Sequence, residues 1–177
     1  RDRGREVELR AWNPELRSYV ARLDGDELDA SLLLLSWYGF EPASSPRMRL
    51  TYQRIREQLG AAHGLLYRYR DPQSPGEGAF GICSFWAAEY LALGGGSAEE
   101  ARQLFERLER LGNDLGLFAE EIDPETGEAL GNFPQAFTHV GLINAALSLT
   151  RRIGQRAEAP ARLAPTLQPE RLTEASP

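Results

Sequence analysis

The chain has 177 residues, of which 42% are hydrophobic and 26% charged, with a formal net charge of −6; these values suit a single globular domain or part of a larger one. The acidic balance and the lack of a separate Lys/Arg block argue against a nucleic-acid-binding protein and against binding to an anionic membrane. No apolar run approaches the roughly 18 residues of a membrane-spanning helix.

Cys83 is the one cysteine of the chain, which excludes an internal disulfide framework and a Cys-based zinc site. A single cysteine also suits a reducing compartment, so we expect a cytoplasmic location. We expect Cys83 to be a small buried hydrophobe. The only histidines are His63 and His139, so a His-rich metal site is not expected.

The chain divides into three parts by composition. Residues 1–11 form a polar lead-in, with a short helix or an irregular segment. Residues 12–154 form a helical domain. Residues 155–177 consist largely of Ala, Pro, Arg and Glu, a composition that predicts a mostly disordered tail.

Within the helical domain, two kinds of predicted helix alternate. Largely apolar helices, which should be surrounded by protein, begin near positions 27, 80 and 133 and end near Trp37, Leu93 and Ile153. Amphipathic helices run over residues 46–59 and 97–111, where apolar side chains recur at helical spacing. A capping box at Ser97 to Glu100 opens the second of them. The pattern repeats about every 50 residues, one helical hairpin per repeat.

This alternation predicts an all-α fold, a partial (α/α)6 toroid with inner and outer helices. A four-helix bundle would make every helix comparably amphipathic. Five or six helices supply only about half of a ring of twelve. The inner face of the half-ring would then expose an apolar surface.

Each inner helix follows a loop rich in acidic, glycine and aromatic residues, namely residues 24–29, 75–80 and 119–132. In a toroid these loops gather at one end of the barrel. Aromatic rings stack on sugar faces, and paired carboxyl groups perform general acid/base hydrolysis. The pattern therefore indicates a carbohydrate site at that end.

Three segments, residues 26–35, 67–86 and 120–139, resemble signatures of the glucoamylase-like glycosidases, glycoside hydrolase family 15, which includes glucodextranase and trehalase. The resemblance covers about residues 12–152 and places this chain at the C-terminal part of the catalytic domain. It implies a six-hairpin fold and an inverting, exo-acting α-glucosidase that hydrolyses oligo- or polysaccharides without a cofactor.

The resemblance also implies that Glu120 is the general base that activates water. Its neighbour Glu121 is the rival, since adjacent residues of an extended segment point to opposite sides. In the family the general acid lies in a Trp-Glu motif upstream, which nothing in this chain matches. We therefore expect the missing N-terminal half of the domain to be a required partner, and this chain alone to be inactive.

The substrate-binding residues that the resemblance implies are Arg68, Tyr69, Glu77, Phe80 and Asp29. Each has a structural alternative. Arg68 and Glu77 could form an ion pair with each other or with Asp71, and Asp29 could cap its helix, as could Asp26. Phe80 and Trp86 could belong to the core, and His139 is more simply a packed, hydrogen-bonded histidine.

Three other functions compete with the glucoamylase-like one. The first is a trehalase of the same family, because the motifs do not decide between α-1,4-glucans, isomaltose-type substrates and trehalose. The second is a non-catalytic carbohydrate-binding or regulatory remnant of the fold. The third is an unrelated helical-repeat interaction protein, which would explain the helices but not the recurring acidic and aromatic loops.

Overall fold

The computed structural model describes residues 3–70 and 77–158, and this part of the chain is mainly helical. The helices are α1 (Arg3–Arg10), α2 (Leu34–Trp37), α3 (Pro46–Leu59), α4 (Gly81–Tyr90), α5 (Ala98–Glu109) and α6 (Ala136–Glu158). The strands are β1 (Trp12–Asn13), β2 (Ser18–Tyr19), β3 (Ala79–Phe80), β4 (Glu121–Ile122) and β5 (Ala129–Leu130). Short 3-10 turns cover Ala30–Leu33 and Ala62–Gly64, and a π turn covers Leu91–Gly95.

Helix α4 lies at the centre of the fold, as predicted for an inner helix. Eight of its 10 residues are buried, and its most extensive helix contact is with α6. Phe85 packs edge-on against Phe118, with ring centroids 5.5 Å apart, and against Phe105 at 6.0 Å. Burial on nearly every side explains why the sequence of α4 shows no polar face.

Helices α3 and α5 form the outer layer, and both confirm the amphipathic prediction. The residues they bury are Met48, Thr51, Ile55 and Leu59 of α3 and Ala98, Ala101, Leu104 and Leu108 of α5. The predicted capping box is present at α5, where the Ser97 hydroxyl accepts from the Glu100 N–H and the Glu100 carboxylate accepts from the Ser97 N–H. The inner and outer layers together confirm a partial α/α toroid.

The first inner helix is shorter than predicted. It was expected over residues 26–37, but helical structure begins at Ala30, as a 3-10 turn that continues into α2. The backbone carbonyl of Glu27 accepts from the Ala21 N–H at 2.9 Å, so the segment before Asp29 pairs with a neighbouring segment and cannot be helical. Of the two predicted caps, Asp29 is the one used: its Oδ1 accepts from the Ser31 N–H at 2.7 Å.

Helix α6 is displaced toward the C-terminus relative to the prediction. It starts at Ala136, not at 133, because the Gln135 N–H donates to the Phe118 carbonyl at 2.9 Å and so ties the preceding residue to another segment. It ends at Glu158, four residues beyond the predicted end of the domain at 154. The rest of the predicted tail, residues 159–177, lies outside the described residues.

A small hairpin near the N-terminus was not predicted. The strands β1 and β2 pair antiparallel, with Trp12 opposite Tyr19, and their rings meet edge-on at a centroid distance of 5.4 Å. The lead-in before them forms α1. Two-residue strands are too short to show alternation in the sequence.

One side of α6 is apolar but largely exposed among the described residues. We call it the open face of α6; its side chains are about half exposed or more, and they are Phe137 (68%), Val140 (51%), Ile143 (56%) and Leu147 (50%). This is the exposed inner surface expected of an incomplete ring. No helix within residues 3–70 and 77–158 has the length and hydropathy needed to cross a bilayer.

Glu89 of α4 is a carboxylate in the interior, only 3% exposed. Burial raises the pKa of Glu89, and hydrogen bonds from Ser148, at 3.1 Å, and Trp37 oppose that shift. Because the folded-state pKa lies above the unfolded-state value, the folded protein binds the proton more tightly. The contribution of Glu89 to stability is therefore greatest below the unfolded-state pKa and is lost as the pH rises through the folded-state pKa.

Glu89→Gln is accordingly expected to raise the free energy of unfolding relative to the wild type at about pH 7, and much less at about pH 3, where the carboxyl is largely protonated in both states. The Gln carbonyl can still accept from Ser148. Urea unfolding at the two pH values measures the effect. Glu109→Gln, at the exposed end of α5, is the matched control and should show no such pH dependence. An equal gain at both pH values would contradict the prediction.

Candidate active site

The loops before the inner helices meet at one end of the fold, as predicted, and the backbone holds them there. The N–H of Ala30, the first residue of the turn before α2, donates to the Arg68 carbonyl at 2.8 Å. The N–H of Gly81, the first residue of α4, donates to the Glu120 carbonyl at 3.0 Å. Arg68 and Glu120 therefore occupy corresponding positions in successive repeats, each over the N-terminus of an inner helix.

A three-stranded antiparallel sheet, in the order β3-β4-β5, fixes the segment that carries Glu120. Phe80 pairs with Glu121, and Glu121 pairs with Leu130. Gly81, which follows β3, has no room for a side chain: a Cβ there would lie 2.5 Å from Cγ2 of the buried Thr138. The N-terminus of α4, the start of α6 and the Glu120 backbone are therefore packed against one another.

Glu120 and Glu121 have different partners. Oε2 of Glu121 accepts from the Gly78 N–H at 2.7 Å, which ties this side chain to the loop before β3. Burial raises the pKa of Glu121, the nearby Glu77 and Glu120 carboxylates raise it further, and the hydrogen bond from Gly78 opposes the shift. Glu121 thus stabilises the loop before β3, while Glu120 faces a cavity.

Glu120 is held by Asn132 through three hydrogen bonds. The Glu120 N–H donates to the Asn132 carbonyl at 2.9 Å. Oε2 of Glu120 accepts from Nδ2 of Asn132 at 2.7 Å and from its backbone N–H at 3.2 Å. Gly131 makes this approach possible, since a Cβ at that position would lie 3.1 Å from Oε2 of Glu120 and the residue has a φ of +71°.

Beside Glu120 lies a cavity of about 300 Å³, which we call the Glu120 cavity. The described residues that line it are Arg68, Phe80, Ile82, Cys83, Trp86, Glu120, Gln135, Phe137 and Thr138. Its volume is at the lower end of the range for small-molecule sites. Aromatic rings, a guanidinium and one carboxylate are groups that bind sugars, and Glu120 is the one carboxylate among these described lining residues.

Arg68 forms its ion pair with a partner that was not expected. Its Nε lies 3.5 Å from Oδ2 of Asp29, whereas Glu77 and Asp71 were the partners considered as the alternative to sugar binding. Glu77 lies near Glu121 instead, and Asp71 is outside the described residues. Asp29 is thus both a cap and a partner of Arg68, because its two oxygens serve the two roles separately.

Tyr69 lies outside the Glu120 cavity. It lines a larger cavity of about 650 Å³ together with Asp26, Asp29, Arg22 and other residues of that end. The Arg68 guanidinium lies 5.6 Å from the Tyr69 ring centroid. We place the candidate site in the smaller cavity because Glu120 lines it. The greater volume of the other cavity does not by itself indicate a catalytic site.

Phe80 and Trp86 lie between the core and the Glu120 cavity. Both are half-buried against the core, and both line the Glu120 cavity. Cys83 is fully buried beneath them, and burial strongly raises the pKa of its thiol. It is therefore the inert buried thiol that was expected.

His139 is a packed histidine, as expected. Its Nδ1 lies 2.7 Å from the Gln135 carbonyl, to which it donates, and its Nε2 accepts from the Phe118 N–H at 3.3 Å. Nε2 therefore ties α6 to the segment before Glu120, while Nδ1 bonds the residue that immediately precedes α6. Within the described residues, no group of three His, Cys, Asp or Glu side chains could hold a metal ion.

Asn132, Gln135 and Phe137 lie at the site but were assigned no role from the sequence. All three belong to the segment that resembles the family signature, residues 120–139. The turn that brings Asn132 to Glu120 is marked in the sequence by Pro124 and Gly127. The pairing of Asn132 with Glu120 becomes visible only once that hairpin is folded.

Comparisons with known proteins agree with this architecture. The family model described as glycosyl hydrolases family 15 matches residues 8–147. A trehalase of Mycolicibacterium smegmatis is 47% identical over 135 residues, which are 73% of this chain and 20% of that protein. A trehalase of Thermoplasma acidophilum is 39% identical over 146 residues, 81% of this chain and 25% of that protein.

A solved structure described as a wild-type glycosidase superposes with a TM-score of 0.70, covering 83% of this chain and 42% of that chain at 17% identity. A second solved structure, described as a glycosidase variant in complex with glucose, gives a TM-score of 0.69. At such low identity the likeness shows the fold alone. The chain spans about a fifth to a quarter of the length of the curated relatives it matches. Since the family model covers most of its residues, the chain belongs to family 15 of the glycosyl hydrolases.

Proposed function

We propose that this chain forms the C-terminal part of the catalytic domain of an inverting trehalase, with Glu120 as the general base. The observation that carries the proposal is the position of Glu120, which borders a sugar-sized cavity and has one carboxylate oxygen held by Asn132. The motifs resemble those of the glucoamylase-like family but do not decide between α-glucans and trehalose as the substrate. The relatives named trehalase, at up to 47% identity, support the alternative, trehalose, as the substrate.

In the proposed reaction the Glu120 carboxylate removes a proton from a water molecule. The water oxygen attacks the anomeric carbon of one glucose unit from the face opposite the glycosidic oxygen. The bond from carbon to that oxygen breaks, and a general acid protonates the departing sugar. Inversion requires the two carboxyl groups to lie roughly 6.5–9.5 Å apart, which leaves room for the water between the base and the anomeric carbon.

The general acid and part of the sugar site come from outside this chain in the proposal. Glu120 is the one carboxylate among the described residues of its cavity, and the relatives are about four to five times longer than the matched segment. The rest of the catalytic domain would cover the open face of α6 and close the ring. This chain alone would then hydrolyse nothing.

Several side chains of this chain would contact the sugar. Arg68, oriented by Asp29, would donate hydrogen bonds to hydroxyl groups, since a guanidinium presents several donors in a fixed plane. Phe80 and Trp86 would supply apolar contact to the sugar ring. Tyr69 and Glu77 remain proposed substrate-binding residues of the same loops.

A chimeric enzyme tests the proposal. This chain would replace the matching segment of the Mycolicibacterium smegmatis trehalase, which supplies the rest of the domain, and glucose release would be measured from trehalose, maltose and soluble starch. We expect turnover of trehalose well above that of the other substrates. Proton NMR of the first products should show one α- and one β-glucose per trehalose, because inversion affects only the attacked unit.

The other outcomes separate the competing functions. Faster release from maltose or starch would identify a glucoamylase-like specificity. A folded chimera that cleaves none of the three, beside an active parent trehalase, would indicate a non-catalytic remnant. Turnover by this chain alone would show that its own residues include a general acid.

A further inference from the structure

The carboxylate of Glu120 is held asymmetrically. Both hydrogen bonds that it accepts go to Oε2, one from the Asn132 side-chain amide at 2.7 Å and one from the Asn132 backbone N–H at 3.2 Å. Within the described residues, no hydrogen bond involves Oε1. The two oxygens are therefore not equivalent in the folded protein.

The backbone on both sides of this carboxylate is fixed as well. The Glu120 N–H donates to the Asn132 carbonyl at 2.9 Å, and the Glu120 carbonyl accepts from the Gly81 N–H at 3.0 Å. Gly131 leaves space for the close approach, because a Cβ there would press against the side chain of Glu120. A carboxylate held at its main chain and at one oxygen has little freedom to rotate.

We propose that Asn132 is the positioning residue of the general base: it anchors Oε2 of Glu120, so that Oε1 is the oxygen that takes the proton from the attacking water. The inference rests on the proposed function of Glu120 and adds a division of roles between its two oxygens. Asn132 itself touches neither water nor sugar in this scheme. It acts through the orientation of Glu120.

The inference predicts that loss of the Asn132 side chain lowers kcat and leaves KM for trehalose nearly unchanged. Asn132→Ala removes the 2.7 Å bond but keeps the backbone N–H and carbonyl, so Glu120 stays in place with more rotational freedom. Since displacement of a catalytic group by about 1 Å can cost up to ~10²-fold in rate, kcat of the chimera should fall by about 10- to 100-fold. KM for trehalose should change by less than about 2-fold.

Asn132→Leu separates hydrogen bonding from packing. The substitution keeps the approximate size and shape of the side chain and adds no charge, but removes the amide donor. If Asn132 only fills space, this variant keeps its activity. If it positions Glu120, kcat should fall about as far as in Asn132→Ala.

Asn113→Ala is the matched control. The Asn113 side chain also makes local hydrogen bonds, since its Oδ1 accepts from the Leu115 and Leu117 N–H groups, but it has no bond to Glu120. Its kcat should stay within about 2-fold of the parent chimera. Glu120→Gln is the reference for loss of the base itself.

The results separate the two levels of the proposal. A large loss in Glu120→Gln with kcat of Asn132→Ala within about 2-fold would overturn the positioning role and leave the proposed function intact. A loss in Asn132→Ala that appears in KM alone would also overturn it. An undiminished rate in Glu120→Gln would instead overturn the assignment of the base.

A measurement on the 177-residue chain needs no catalysis. In ¹H–¹⁵N spectra the side-chain amide signals of Asn132 should shift on Glu120→Gln, while those of Asn13 and Asn113 stay in place. Unchanged Asn132 signals would show that the anchoring bond does not form in solution, and the inference would fail even if the chimera did not fold.

Discussion

Glu120→Gln is expected to reduce kcat for trehalose at least ~10²-fold in the chimeric enzyme, the size of a typical general-base contribution. The amide is nearly the same size and can still accept from Asn132, so the site should keep its shape. It cannot take a proton from water, and KM should therefore change little. Steady-state glucose release from trehalose measures both constants.

Glu121→Gln is the matched comparison, because the two glutamates are adjacent and have different partners. The carbonyl of the new amide can accept from the Gly78 N–H, as Oε2 of Glu121 does at 2.7 Å. We expect kcat within about 5-fold of the unmodified chimera. A larger loss in Glu121→Gln than in Glu120→Gln would show that the base was assigned to the wrong neighbour.

The helical repeat could be predicted from the sequence because buried helix faces require apolar residues at a regular spacing. The buried α4 shows apolar residues on every side, and α5 shows a single apolar stripe with a capping box. The structure places Ala30 and Gly81 at equivalent helix starts, and Arg68 and Glu120 at equivalent loop positions, each pair about 50 positions apart, as the period predicted.

The start of the first inner helix could not be predicted from the sequence, because local helix propensity gives no information on backbone hydrogen bonds to other segments. Residues 26–29 have helix-compatible composition, yet the Glu27 carbonyl accepts from Ala21. Tertiary hydrogen bonds of this kind override propensity.

The contacts between side chains of the site could not be predicted for the same reason. The ion pair of Arg68 with Asp29 joins residues that are far apart in the sequence, and the contact of Glu120 with Asn132 depends on how the intervening hairpin turns. Motif resemblance singled out Glu120 but carried no information on which oxygen is held. The residue types of this site could be predicted from the sequence, whereas their hydrogen-bond and ion-pair partners could be identified only from the folded structure.

The second large effect concerns the open face of α6. Leu147, 50% exposed here, would be buried if the rest of the catalytic domain closes the ring. Leu147→Asp should then lower the free energy of unfolding of the chimera by at least ~4 kcal/mol, because an unpaired charge would be buried. In this chain alone the same change should cost no more than about 1 kcal/mol, mainly from helix propensity. Urea unfolding of both proteins gives the two values.

Leu115→Asp controls for the general effect of an acidic residue in place of an exposed leucine. Leu115 is 75% exposed in the loop between α5 and β4, and its replacement should cost no more than about 1 kcal/mol in either protein. If the chimera tolerates Leu147→Asp as well as it tolerates Leu115→Asp, nothing covers the open face of α6. The apolar side chains of that face would then need another explanation, and the half-ring would be a complete structural unit.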